Sequence, residues 1–246
     1  MLKRLAHVAT VLGRFGLAWV LAELELLPRP LRTRADTAMM ALELPERLRL
    51  ALEELGPTAI KLGQVLASRG DLIPPAYVAE LRKLQEDVPP AGFEAIENVI
   101  QQELGADIGD LFEEFEPTPR ASASIGQVHF ARLKGGQPVA VKIQRPGVAA
   151  AVEIDLHLLL YAARRAEKVL AWAAENHVQE FVHEFVRTLR EELDFLIEAH
   201  NTDRLRANLK EDEQAHVPAI VWTLTSRRVL VIEWVEGARA ADEASL

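Results

Sequence analysis

The strand-like run Val139-Ala140-Val141-Lys142-Ile143 contains the residue with the plainest chemical use. Alternation sends Val139, Val141 and Ile143 to one side and Lys142 to the other, so the amine faces away from the core. A lysine placed this way can grip phosphate oxygens if a carboxylate on a nearby helix steadies it; a solvated lysine on an edge strand reads the same. Upstream, Ala121-Ser122-Ala123-Ser124-Ile125-Gly126-Gln127-Val128 has small residues that let backbone N–H groups approach phosphates, but one glycine only. Its alanines restrict φ and stiffen such a loop; the competing reading is an ordinary turn of small residues. Lys61 and Gln64 are three apart on a helical pattern and share a face, fit to grip one anion together or to face solvent. In Glu191-Glu192-Leu193-Asp194-Phe195-Leu196-Ile197-Glu198, read as one helix, Asp194 and Glu198 point about 40° apart and Glu192 about 120° from Glu198. One acidic direction could hold Lys142 and the other a metal or Lys61, or both could be a solvated face.

The elements that must carry these residues change character along the chain. Residues 35–55, 58–68, 75–86 and 92–104 read as helices, broken by Gly56-Pro57, Gly70 with Pro74-Pro75, and Pro89-Pro90. Residues 111–116, 127–134 and 137–144 read as strands, with Gly135-Gly136 where a tight hairpin needs positive φ. Long helical patterns over 148–174 and 177–209 follow, then strand character at 217–223 and 228–235. The fold class is α+β: a five-stranded antiparallel sheet covered on one side by helix, the outline of a kinase small lobe.

Composition permits this without demanding it. The chain has 246 residues, 49% apolar and 26% charged, with no cysteine, which excludes disulfides and thiolate metal sites. A net charge of −9 argues against nucleic acid as a partner. The first 34 residues are the basic end, with six Lys/Arg and two Glu. There Leu2, Leu5, Ala9, Leu12, Gly16 and Trp19 plot to one face, with Lys3, His7, Thr10 and Arg14 opposite. That stripe suits either a membrane surface or the protein's own core. Arg14, Glu23 and Glu25 interrupt the apolar run, so no transmembrane helix is expected.

Taken in order, these blocks resemble the UbiB/AarF family, the ABC1-type atypical protein-kinase-like ATPases. Leu55 to Arg69 looks like its K-x-G-Q block, and Asp71 to Pro75, Leu84 to Pro90 and Ala121 to His129 look like family segments too. So does Glu192-Leu193-Asp194, the E-x-D element. The resemblance implies a kinase-like lobe over 106–240 up to the hinge, after a basic helix over 1–34 and a helical extension over 35–105, with 241–246 starting a second lobe. It implies ATP or ADP with Mg²⁺ as cofactors and phosphoryl transfer as the chemistry. It also implies a part in ubiquinone or other isoprenoid-lipid metabolism. The implied partners are a membrane surface, an isoprenoid lipid or lipid-biosynthesis proteins, with a cytoplasmic position peripheral to the inner face of the membrane.

By the same resemblance Lys142 is the ATP-phosphate lysine and Glu198 its helix partner, Glu192 remaining the alternative. Glu192 and Asp194 work with Lys61 and Gln64. Nucleotide contacts fall to Ala121, Ser122, Ala123, Ser124, Ile125, Gly126, Val128 and Ala140, with Ile232, Glu233 and Val235 along the adenine. The catalytic loop and D-F-G segment are absent from the 246 residues: the one Asp-Phe pair, Asp194-Phe195, is followed by Leu196. No metal ligand is therefore expected within the chain. The expectation is a fragment of a longer product that turns over ATP poorly by itself; the alternative is a non-catalytic module whose grip on a lipid or protein responds to nucleotide.

Overall fold

A computed structural model describes residues 1–26, 36–84, 89–212 and 214–237. In chain order the helices are α1 (Leu2–Arg14), α2 (Ala18–Glu23), α3 (Leu44–Leu55), α4 (Pro57–Ala67), α5 (Pro75–Leu81), α6 (Phe93–Leu104) and α7 (Ile108–Leu111). Strands β1 (Phe112–Phe115), β2 (Ala121–Ser122), β3 (Gly126–Leu133) and β4 (Pro138–Gln144) follow. The remainder is α8 (Val148–Val169), α9 (Ala171–Glu175), α10 (Val178–Glu192), α11 (Phe195–Asn208) and β5 (Val229–Glu233). The chain groups into two compact units, Met1–Asp87 with Gly147–Leu189, and Val88–Pro146 with Arg190–Leu246. The end of the first expected segment, residues 27–34, and the expected segment 241–246 lie outside the described residues, as do 85–88.

In the first unit, Gly56 at φ +93° ends α3 and Pro57 opens α4, a turn only glycine accommodates easily. Helices α3 to α5 share a core of Leu52, Ile60, Ala67, Leu81 and Leu84. Gly63 lets Leu84 and Leu52 seat against α4: a Cβ there would run into the Leu84 methyl and stand 2.9 Å from Leu52 Cδ1. The helix expected over 35–55 begins only at Leu44, with Pro45 in its first turn, after a 3₁₀ turn at Met39–Ala41.

The N-terminal stripe docks on the unit's own core, but along a different line from the one expected. Val11 and Phe15 are buried with Leu17 and Ala51, while Leu2 and Trp19 are 83% and 58% exposed. Gly16 at φ +68° breaks the helix between α1 and α2, so a face plotted through Trp19 as one helix does not exist. Arg4 fixes the docking, with Nε donating to Asp155 Oδ1 at 2.5 Å and Nη2 to the Leu55 carbonyl at 2.6 Å. Among the described residues no helix is long and apolar enough to cross a membrane.

The second unit is built on an antiparallel sheet of order β1-β3-β4-β5, with β2 paired to β3. Gly135 and Gly136, at φ +107° and +88°, turn the β3–β4 hairpin. The fifth strand is not the expected 217–223. That segment keeps one bridge, Ile220 to Ile232, and then turns into a 3₁₀ helix at Trp222–Leu224. Its pairing with β5 is limited to the Glu233 N–H on the Ala219 carbonyl at 2.9 Å and the Val221 N–H on the Val231 carbonyl at 2.8 Å, and the short β2 makes up the count. Helix covers both faces of the sheet, not one. Ile96, Val99 and Ile100 of α6 pack on Val139, Val141, Ile143, Val229 and Val231, while Phe195 and Ala199 of α11 pack on Leu230. The pattern over 177–209 is two helices because Asp194 is extended, at φ −113° and ψ 96°, and its side chain accepts from the Leu196 N–H at the start of α11.

Candidate functional site

Strand β4 presents Lys142 on the face opposite α6, as its alternation requires. Its Nζ donates to Glu198 Oε2 at 2.7 Å. The ammonium also sits over the Phe195 ring, 4.8 Å from the centroid, a cation–π contact. Phe195 is buried at the start of α11 and Glu198 lies one turn further on, so one helix supplies both the floor and the carboxylate. The two partners' side chains are 32% and 43% exposed. An ion pair this open adds only about 0–1 kcal/mol to stability. Its geometry points to holding an amine in place beside solvent.

Of Glu192 and Glu198, it is Glu198 that contacts Lys142. Glu192 is the last residue of α10, across the Asp194 break, so the helical plot that related them does not apply. Asp194 is spent on capping, with its Oδ2 also 3.5 Å from Arg227 Nε. Lys61 and Gln64 lie on α4, in the first unit, where Gln64 Nε2 donates to the Leu84 carbonyl at 3.3 Å.

The alanine-rich segment is a closed turn. The Ala123 N–H bonds to the Gly126 carbonyl at 2.8 Å, Ala121 and Ser122 pair with Val128 and Gln127, and Ser124 and Ile125 at its tip are buried. The Ser124 hydroxyl, on a residue 1% exposed, has no hydrogen-bond partner among the described residues. An orphan of this kind costs about 1–3 kcal/mol. Its unused O–H is a donor of the kind a phosphate oxygen accepts from. Ala140 lies on the Lys142 face of β4. At the end of β5 the Glu233 N–H is engaged by the Ala219 carbonyl at 2.9 Å, leaving a ligand only its carbonyl. The Glu233 carboxylate is held by the Ala219 N–H at 3.1 Å and stands 3.2 Å from His216 Nε2. Ile232 is half-buried beside Phe195 and Leu230, and Val235 is exposed. A cavity of about 620 Å³ lies at the far end of α11, lined by Asp203, Arg206, Lys210 and His216 among others, none of them singled out by sequence.

Two residues of the site were not legible by type. Gln144 Nε2 donates to the Leu193 carbonyl at 2.9 Å. Arg145 donates to the Pro89 carbonyl at 2.8 Å and to Ser122 Oγ at 3.2 Å. For Gln144 a signal existed, since it shares the Lys142 face two positions on.

Residues 83–246 match the ABC1 atypical kinase-like domain. The chain is 42% identical to a probable protein kinase UbiB of Pseudomonas putida strain F1, over 94% of this chain and 42% of that protein. Its identity to the probable protein kinase UbiB of Marinobacter nauticus is 40%, over 93% of this chain and 40% of that protein. To that of Pseudomonas aeruginosa PAO1 it is 39%, over 99% and 47%. The chain thus spans less than half the length of these relatives. Among solved structures, the Rv3197–erythromycin complex from Mycobacterium tuberculosis aligns at 32% identity and TM-score 0.47, covering 82% of this chain and 51% of that one. With its kinase-like α+β architecture, the chain belongs to the ABC1 atypical kinase-like family, which includes the UbiB proteins.

Proposed function

We propose that this chain forms the phosphate-gripping lobe of an atypical kinase or ATPase that binds ATP or ADP with Mg²⁺. The observation that carries the reading is the 2.7 Å contact between Lys142 Nζ and Glu198 Oε2, on the sheet face floored by Phe195. A nucleotide bound there would supply the transferable phosphoryl group. Lys142 neutralises phosphate oxygens, and Glu198 keeps the amine aimed. The 121–126 turn offers its orphaned Ser124 hydroxyl, and the Glu233–Val235 segment lines the adenine. Lys61 and Gln64 stand in this reading as the K-x-G-Q element, and Glu192 and Asp194 as the E-x-D element. The physiological setting we propose is ubiquinone or other isoprenoid-lipid metabolism, at the inner face of a membrane.

A charge-assisted hydrogen bond is worth about 1.5–3 kcal/mol, which is about 10–150-fold in affinity or rate. In the protein at the length of its curated relatives, Lys142→Ala should reduce ATP turnover and weaken ADP binding by that factor. Unchanged turnover would remove Lys142 from the chemistry. Nucleotide binding without turnover, accompanied by nucleotide-dependent flotation on liposomes, would favour a non-catalytic lipid-binding module instead.

A further inference from the structure

The two residues that follow Ile143 reach the two segments on which the Lys142 site depends. Gln144 is 2% exposed, and its Nε2 donates to the Leu193 carbonyl at 2.9 Å. Leu193 lies in the gap between α10 and α11, immediately before the capping Asp194. The bond therefore ties the strand that carries Lys142 to the start of the helix that carries Glu198. A second tie acts at the same place, where the Phe195 N–H donates to the Arg227 carbonyl at 3.0 Å. In kinase lobes the lysine–glutamate pair works only when its helix is correctly placed, so whatever fixes this helix end controls the pair.

Arg145 acts on the other side. Its N–H donates to the Ile125 carbonyl at 2.9 Å. Its guanidinium reaches Ser122 Oγ at 3.2 Å, the Ala123 carbonyl at 3.5 Å and the Pro89 carbonyl at 2.8 Å. All these acceptors are neutral, and burial draws the guanidinium below its ordinary pKa. A half-buried cation spent on carbonyls contributes little as an ion pair. Its rigid fork instead joins Ser122 and Ala123 of the turn, through Nη1, to the Pro89 carbonyl, through Nη2.

Resting on the nucleotide-site reading above, we propose that Gln144 and Arg145 are positioning residues. Gln144 locks the first turn of α11 so that Glu198 stays on Lys142, and Arg145 straps down the turn that faces the phosphates. Neither touches nucleotide. Their effects are separable, because each bonds to a different segment.

Hydrogen exchange on the full-length protein tests this without nucleotide. Loss of one neutral hydrogen bond corresponds to about a fivefold change. Gln144→Leu should speed exchange of residues 194–200 by about that factor while leaving 121–126 unchanged, and Arg145→Met should do the reverse. Gln127→Leu serves as the control, since Gln127 is equally buried but bonds to Ala91 and His129; it should lower the melting temperature without this selectivity. If Gln144→Leu does not fold, Gln144→Met replaces it. Equal acceleration of both segments in all variants, or unchanged α11 exchange in Gln144→Leu, overturns the proposal. A second arm measures Mg-ADP affinity: Gln144→Leu should weaken it in the wild-type background and add nothing in Glu198→Gln, whereas additive losses count against the lock. A wild-type protein that binds no nucleotide would overturn the functional reading alone, with exchange still deciding the positioning claim.

Discussion

Gly126→Ala turns the close packing behind Lys142 into a number. Gly126 opens β3 opposite Gln144, and a Cβ on it would stand 2.9 Å from the Ile143 carbonyl oxygen and 3.5 Å from Phe195 Cζ. The oxygen belongs to a central strand paired on both sides, so relief needs a shift of backbone. A side-chain rotation cannot provide it. Overpacking of this kind costs about 1–3 kcal/mol, and the unfolded-state entropy gain from replacing glycine returns about 0.4–1 kcal/mol. The net loss is about 1.5 kcal/mol, which for a chain of this size lowers the melting temperature by roughly 3–6 °C. Calorimetry of wild type and variant measures it directly. Because the shift falls on Ile143 and Phe195, the floor of the Lys142 site, ADP affinity should fall as well. A melting temperature that stays level or rises would refute the reasoning, since only the entropy gain would then be operating.

Asp194→Ala removes the cap of α11 and should cost about 1 kcal/mol, read as a lower urea midpoint with faster exchange at Leu196; an unchanged midpoint would show that the cap does not hold the helix. Glu198→Gln should separate stability from binding: the open ion pair is worth about 0–1 kcal/mol, so the melting temperature moves by about 4 °C at most, while nucleotide affinity drops about tenfold or more. A large melting shift with intact affinity would make the pair structural. His129 should make the sheet acid-sensitive. It is buried, unlike the other six histidines, with Nδ1 2.8 Å from the Glu116 carbonyl and Nε2 2.8 Å from Gln127 Nε2. Burial holds its pKa below the ordinary 6.5, so the folded state binds fewer protons than the unfolded one between those two values. Its contribution is complete above about pH 6.5 and is lost as pH falls toward the folded pKa. Urea midpoints from pH 7.5 to 5 should therefore decline less in His129→Gln than in wild type, and parallel declines would contradict the assignment.

How much of this was legible from sequence differed from residue to residue. Lys142 was readable because strand alternation needs only two neighbours to place a side chain. Its partner was ambiguous because the helical plot ran straight through Asp194, a residue whose short carboxylate prefers to cap a helix. The strand read at 217–223 has the right apolar residues, but the 3₁₀ turn at Trp222–Leu224 cuts its pairing with β5 to one bridge. The two-residue β2 is too short for any periodicity to announce it. The apolar face of α6 was clear in sequence, yet nothing local told that it would cover the sheet. Arg145 and the bonding of Gln144 are hard to read because most of the acceptors are main-chain carbonyls up to 56 residues away, and carbonyls carry no sequence signature.

The central claim is that the Lys142 amine lies where a nucleotide binds, and affinity labelling tests it most directly. The protein is treated with an amine-reactive adenine nucleotide analogue and digested, and the modified lysine is identified by mass spectrometry. The account predicts modification at Lys142, suppressed by excess Mg-ATP and reduced in Glu198→Gln, which binds the analogue less tightly. Modification spread over exposed lysines such as Lys3 and Lys168, with no protection by Mg-ATP and none at Lys142, would contradict it.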